Sequence, residues 1–251
     1  MDTRYWGPSG WQLLHLIAAT KGAPKSFWET LPYILPCKFC RASLSDFYKQ
    51  LPVPETHQDI WLYKIHNKVN AKLRSQKHIE PDPKQSDVIS HYKNLLEQGC
   101  TKTFFPGWEF VFSIADNHPA SSPSKPMPDA PVSMPKTHEE LNRYNLLTAI
   151  QRIQHVKEFW KELANALPFK EWQQSWKKHA TSITPAVNNR RSALSWLWKV
   201  RCGMDKDLQQ LSNTNFHGLC KEVAKHRSGC STSRRAKTCR SIKHMKTRKH
   251  H

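Results

Sequence analysis

Cys37 and Cys40 stand three residues apart in the stretch LPCKFCRASLSDFY, just after a proline and at the front of an apolar, helix-like run. Such a pair has three chemical uses: a metal clip, a redox couple, or two thiols with no shared task. A structural zinc site needs two more ligands at a recognisable spacing, a second C-x2-C or an H-x3-H. Residues 1–115 offer neither; His15 and His66 could be recruited, but their spacing is no zinc signature. A thioredoxin-type pair follows a strand in a βαβ unit, and the preceding FWETLPYILP does not read as a strand. At a helix N-terminus, by contrast, the positive end of the helix dipole favours the thiolate, and the pair forms and breaks a disulfide easily.

A second stretch with chemical potential is DIWLYKIHNKVNAKLRS, residues 59–75. Ile65, Val69 and Leu73 recur at four-residue steps, which predicts a helix with an apolar stripe. His66 and Asn70 share one face of it, with Tyr63 and Asn67 beside them. Taken alone, that face reads as solvated polar surface.

The elements that must position these residues are helical. The chain has 251 residues, 38% of them hydrophobic, with ten tryptophans, which supports a folded core. Only eight glycines and few alternating apolar–polar runs point to an all-α fold. The segment from Trp11 to Ala19 reads as an amphipathic core helix. It lacks a basic leader and a small-residue cleavage site, so no signal peptide is expected, and no apolar run is long enough for a membrane span. The expected setting is therefore cytoplasmic and reducing, where a close cysteine pair is more often metal-binding or catalytic than structural. The other cysteines are Cys100, Cys202, Cys220, Cys230 and Cys239.

Four segments follow along the chain. Residues 1–115 read as one helical unit. Residues 116–136 hold six prolines and form a linker. Residues 137–222 form a second helical region. It opens on a capping-box pair, Thr137 and Glu140, and continues as one helix face through Leu141, Tyr144, Leu147, Ile150, Ile153, Val156 and Trp160. EWQQSWKKHA and SALSWLWKV read as further helices, and Cys202 and Cys220 are expected to be buried there. Residues 223–251 contain no Asp or Glu and form a basic tail, expected to be disordered unless bound. The net charge of +19 predicts attraction to nucleic acid, acidic protein or an anionic membrane surface, without choosing among them.

Three stretches, WGPSGWQLLH, CKFC and HNKVNAKL, together resemble the Erv/ALR family of FAD-linked sulfhydryl oxidases, in its order and register. Trp6, Gly7, Trp11, Leu14 and His15 match its first-helix motif. Cys37 and Cys40 match its C-x-x-C. His66, Asn67, Val69, Asn70 and Leu73 match its third motif. The resemblance covers roughly the first 105 residues and does not extend to the second half of the chain. It implies a small helical bundle that holds FAD non-covalently, as a homodimer. Trp11 and His15 would line the flavin or its adenine. His66, Asn67, Asn70 and Lys72 would contact adenine, ribose and diphosphate, and Tyr92 would stand near the adenine. A dithiol protein substrate would attack the disulfide at Cys37, and Cys40 would pass the electrons to flavin and on to dioxygen, giving hydrogen peroxide.

Departures from the family pattern also matter. Members often carry a structural disulfide with one cysteine just before the third motif; here Tyr63 and Glu80 stand at its two positions, so packing must replace it. Members also often use a distal shuttle pair. Cys100, Cys230 and Cys239 are candidates for that role or are idle thiols. A Trp-containing helical domain beside such a core is an arrangement of sulfhydryl oxidases from large DNA viruses. By that analogy the setting is a virion or viral factory, with viral proteins as substrates and the tail on nucleic acid or acidic surfaces. The alternative class is a non-enzymatic nucleic-acid-binding or virion structural protein with a zinc-clipping C-x-x-C, its affinity supplied by the tail. The HNKVN helix separates the two, since only the oxidase needs those side chains turned toward a cofactor. A thioredoxin-like reductase is disfavoured by the missing strands.

Overall fold

The computed structural model describes residues 1–20, 22–75, 81–121, 125–210 and 214–227. Among them every regular element is a helix, so the all-α expectation holds. The first six are α1 (Thr3–Ala18), α2 (Lys25–Ile34), α3 (Lys38–Gln50), α4 (Gln58–Ser75), α5 (Gln85–Gln98) and α6 (Trp108–Asp116). The others are α7 (His138–Arg143), α8 (Ala149–Ala166), α9 (Lys170–His179), α10 (Thr184–Asn188), α11 (Arg190–Asp207) and α12 (Phe216–Lys225).

Helix α6 is the centre of the packing. All of its residues but Glu109 are buried, as expected of a helix that is apolar on every side. It lies against α1 on one flank and against α11 and α12 on the other. The approach to α1 is close because residue 10 is glycine: a Cβ there would stand 3.1 Å from the Phe110 ring. Next to it, the Ser9 hydroxyl donates to the Pro106 carbonyl and accepts the Phe110 N–H, which satisfies a first-turn donor of α6.

Helix α4 is pinned at its first residue. The buried Gln58 side chain accepts from the Trp28 indole and the Ala23 N–H and donates back to the Ala23 carbonyl. Trp61, Leu62 and Ile65 continue this buried face into the core. At the junction of α4 and α5 the Tyr63 hydroxyl donates to the Pro83 carbonyl, while Asp82 accepts from Arg74 and Asn70. These contacts join the two helices beside the position where a disulfide was not expected; Glu80 lies outside the described residues.

The helices of residues 137–222 share one hydrophobic core with those of residues 1–115. Helix α8 packs along α2, with Phe159 stacked on Phe27, and Trp176 of α9 stacks toward Trp108. Between α6 and α7 the described residues contain only a 3-10 turn, Pro119–Ser121. The chain there also touches α3, since the Lys38 ammonium donates to the carbonyls of Lys125 and Pro126.

Three details differ from the sequence-based expectation. The capping box of Thr137 and Glu140 is formed, but the helix ends at Arg143. Asn145 takes a left-handed backbone, φ 58°, and a second capping box of Thr148 and Gln151 starts α8. Local capping thus breaks what apolar periodicity read as one helix, and Ile150 points outward, 73% exposed. Cys202 is exposed because the buried stripe of α11 runs through Leu197, Val200 and Met204, on another face. Helix α12 continues to Lys225 with Val223 fully buried, and Arg227 pairs with the buried Asp116, whereas residues 228–251 of the basic tail, with Cys230 and Cys239, lie outside the described residues.

Candidate functional site

Cys37 is the N-cap of α3. Its backbone is extended, and its carbonyl accepts the N–H groups of Cys40 and Arg41 at 3.1 and 3.0 Å. The pair therefore occupies the positive end of a 13-residue helix, the setting that favours thiolate. Both cysteines are half-buried.

Cys40 lines a cleft of about 610 Å³ enclosed by α1, α3 and α4, within the range of cofactor sites. Trp6, Gly7 and Trp11 line it from α1, and His66, Asn70 and Lys72 from α4. All three residues of the apolar stripe of α4, Ile65, Val69 and Leu73, line the cleft, and Ile65 is also buried in the core. Arg4 and Lys72 bring positive charge, and no Asp or Glu lines this space. The Lys72 ammonium donates to the Ser43 hydroxyl of α3. The Trp6 indole N–H is buried with no protein acceptor.

A smaller cleft of about 320 Å³ adjoins it and shares His66 and Asn70. His15, Asn67 and Tyr92 complete the set expected from sequence. Trp11 stacks on His66 at 3.8 Å between ring centres, and His15 stacks on Tyr92 at 4.9 Å. His15 Nε2 and His66 Nδ1 lie 3.0 Å apart, so one ring donates and the other accepts. Burial pushes His15 down to about 3, helped by any charge on His66, and pushes His66 down to about 4 against the pull of Asp82. With both depressed by burial, the rings are neutral at pH 7, and the shared hydrogen bond is satisfied by a donor nitrogen on one ring and an acceptor nitrogen on the other.

The structure thus gathers Trp6, Gly7, Trp11, His15, Cys40, His66, Asn67, Asn70, Lys72 and Tyr92 around two adjoining clefts. Cys37 sits at the end of α3 and lines neither. Cys100 also lines neither; it lies in a 3-10 turn beside Glu171, and burial first, then that carboxylate, pushes its thiol up. Sequence reasoning missed Arg4, Ser43, Phe39 and Phe47 in the larger cleft. Ser43 could have been found, since it lies one helical turn beyond Cys40. Among the described residues no group of three or more His, Cys, Asp or Glu is placed to hold a metal, which leaves a zinc clip at Cys37 and Cys40 without a ligand set there. No helix among them is long and apolar enough to cross a membrane.

No solved structure matches the chain. It is 33% identical over 88 residues to the mitochondrial FAD-linked sulfhydryl oxidase ERV1 of Saccharomyces cerevisiae. That alignment takes in 30% of this chain and 47% of the yeast protein, so the chain spans about half the length of this curated relative. The Erv1 / Alr family model matches residues 8–88, the part of the chain that holds Cys37, Cys40 and the α4 wall of both clefts.

Proposed function

We propose that the chain is an FAD-linked thiol oxidase that forms disulfides in protein substrates through Cys37 and Cys40. The observation that carries this reading is the placing of Cys40 in the wall of a cleft lined by aromatic rings and cations and free of carboxylates. The side chains suit the cofactor. Flat rings take stacking partners such as Trp11 and His66. A diphosphate takes Lys72. A carbonyl on a ring edge takes the unmatched N–H of Trp6. His15, Asn67, Asn70 and Tyr92 would hold the adenosine end in the smaller cleft.

Bound FAD would supply the two-electron sink for Cys40 and deliver the pair to dioxygen, giving hydrogen peroxide. The protein's part is positional. Cys37, at the cap of α3 and outside the cleft, receives the substrate thiolate. Cys40 leaves as a thiolate one turn deeper, inside the cofactor cleft. Neutral His15 and His66 keep the adjoining wall free of a second buried charge. We further propose that the enzyme works as a homodimer and that its basic surface contacts polyanions. Dithiol-dependent oxygen uptake with matching peroxide release tests the reading. Both are expected in the intact protein and lost in Cys37→Ser and Cys40→Ser. Undiminished uptake in Cys40→Ser would overturn it.

A further inference from the structure

Arg41 follows Cys40 directly and stands one helical turn beyond Cys37. Its side chain is 2% exposed. One guanidinium nitrogen donates to the Leu35 carbonyl and another to the Asn145 side-chain oxygen, each at 2.7 Å, while Nε has no acceptor. Both acceptors are neutral, which is an unusual environment for a buried guanidinium. The next charge inward is Arg152 of α8, 7% exposed and also cationic. Burial pushes Arg41 down to about 10, and among the described residues the charges that push it back up come from Cys37 and Cys40.

Among the described residues, the other charged groups around the pair are engaged as follows. Lys38 of α3 is held by the Lys125 and Pro126 carbonyls, and the Met1 amino group lies at the Pro36 carbonyl. From α1 and α4, Arg4, Lys72 and the neutral His66 line the cleft. Asp2 is paired with Arg4, and Asp46 and Asp129 are paired with Arg143. Arg41 is thus a buried positive charge next in the chain to Cys40, on the helical turn whose N–H groups donate to the Cys37 carbonyl; with the carboxylates named here engaged elsewhere, the cysteines are its available counter-charge among the described residues.

We propose that Arg41, clamped by Asn145 of the second helical region, is a positioning residue that stabilises the thiolates of Cys37 and Cys40 and so makes their disulfide a stronger oxidant. The inference rests on the redox reading of this pair. A substrate thiolate attacks Cys37 Sγ; the Cys37–Cys40 bond breaks and Cys40 departs with the electron pair. A second substrate thiolate then attacks the substrate sulfur of the mixed disulfide, and Cys37 departs in turn. The substrate loses two electrons and becomes a disulfide, while the pair gains both and carries negative charge beside Arg41. The disulfide is neutral, so the guanidinium favours the reduced side. This gives residues outside the family match a task at the redox pair. The turn that bears Asn145 holds Arg41, and Asn142 beside it donates to the Pro32 carbonyl and the Ser45 hydroxyl.

The test follows the alkylation rate of Cys37 and Cys40 against pH in reduced protein, together with the glutathione equilibrium of their disulfide. Neither readout needs flavin or oxygen. In Arg41→Gln the thiolate titration is expected to rise by about one pH unit, and the equilibrium to move about tenfold toward the disulfide, ~30 mV. Arg41→Lys is expected to fall between. Asn145→Asp places a carboxylate against the guanidinium and is expected to move both readouts in the same direction, so it decides the matter if Arg41→Gln does not fold. Folded variants with unchanged titration and equilibrium would overturn the inference. A wild-type pair that forms no disulfide under any glutathione ratio would instead overturn the oxidase reading itself.

Discussion

Acidifying the protein from pH 7 to pH 5 is predicted to destabilise it through His15. In the unfolded chain this ring takes up a proton near 6.5; in the folded protein burial holds it off until about 3. Between those values the unfolded state binds more protons, so stability is intact above 6.5 and falls as pH falls. From 6.5 to pH 5 is one and a half units at about 1.4 kcal/mol each, a loss of about 2 kcal/mol from His15. His66, depressed to about 4, adds a loss of the same sign. The assay is urea unfolding at pH 7 and pH 5, comparing wild type with His15→Gln. Carboxylate effects are common to both proteins and cancel in the comparison. The variant is expected to lose about 2 kcal/mol less than wild type over that interval. Equal losses would refute the claim that His15 is held neutral by burial.

Lys72→Met removes the cation that bridges to Ser43 at the cleft wall. It is expected to weaken FAD binding at least about tenfold in a fluorescence titration, the worth of one charge-assisted hydrogen bond, while dithiols still reduce Cys37 and Cys40. Asn142→Ala leaves the Pro32 carbonyl and the Ser45 hydroxyl short of a buried donor. It is expected to cost about 2 kcal/mol in urea unfolding, and no measurable change would show that the clamp on α3 is unimportant.

Local features of the site were legible from residues in ways that distant contacts were not. Cys37 as a helix cap and His66 with Asn70 on one face follow from spacing within single helices, where geometry is set by the helical repeat. The roles of Trp6, His15 and Tyr92 could be expected only through the family resemblance, because they converge from α1 and α5, and nothing local links Trp6 to His66. Arg41 was passed over because its meaning lies in Asn145, far along the chain. The single helix expected from Leu141 to Trp160 failed for a local reason: Thr148 and Gln151 offered a second start. Cys202 was misplaced because α11 is apolar on much of its circumference, and periodicity alone did not show which face meets the core.

The central claim is that Cys40 delivers electrons to a flavin bound in the α1–α3–α4 cleft. The most direct measurement is the visible absorption spectrum of the purified protein under nitrogen, before and after a dithiol, and again in air. The account predicts flavin bands that the dithiol bleaches and air restores, and a Cys40→Ser protein that keeps the bands but resists bleaching. A colourless protein that takes up no added FAD, or a Cys40→Ser variant bleached as fast as wild type, would contradict it.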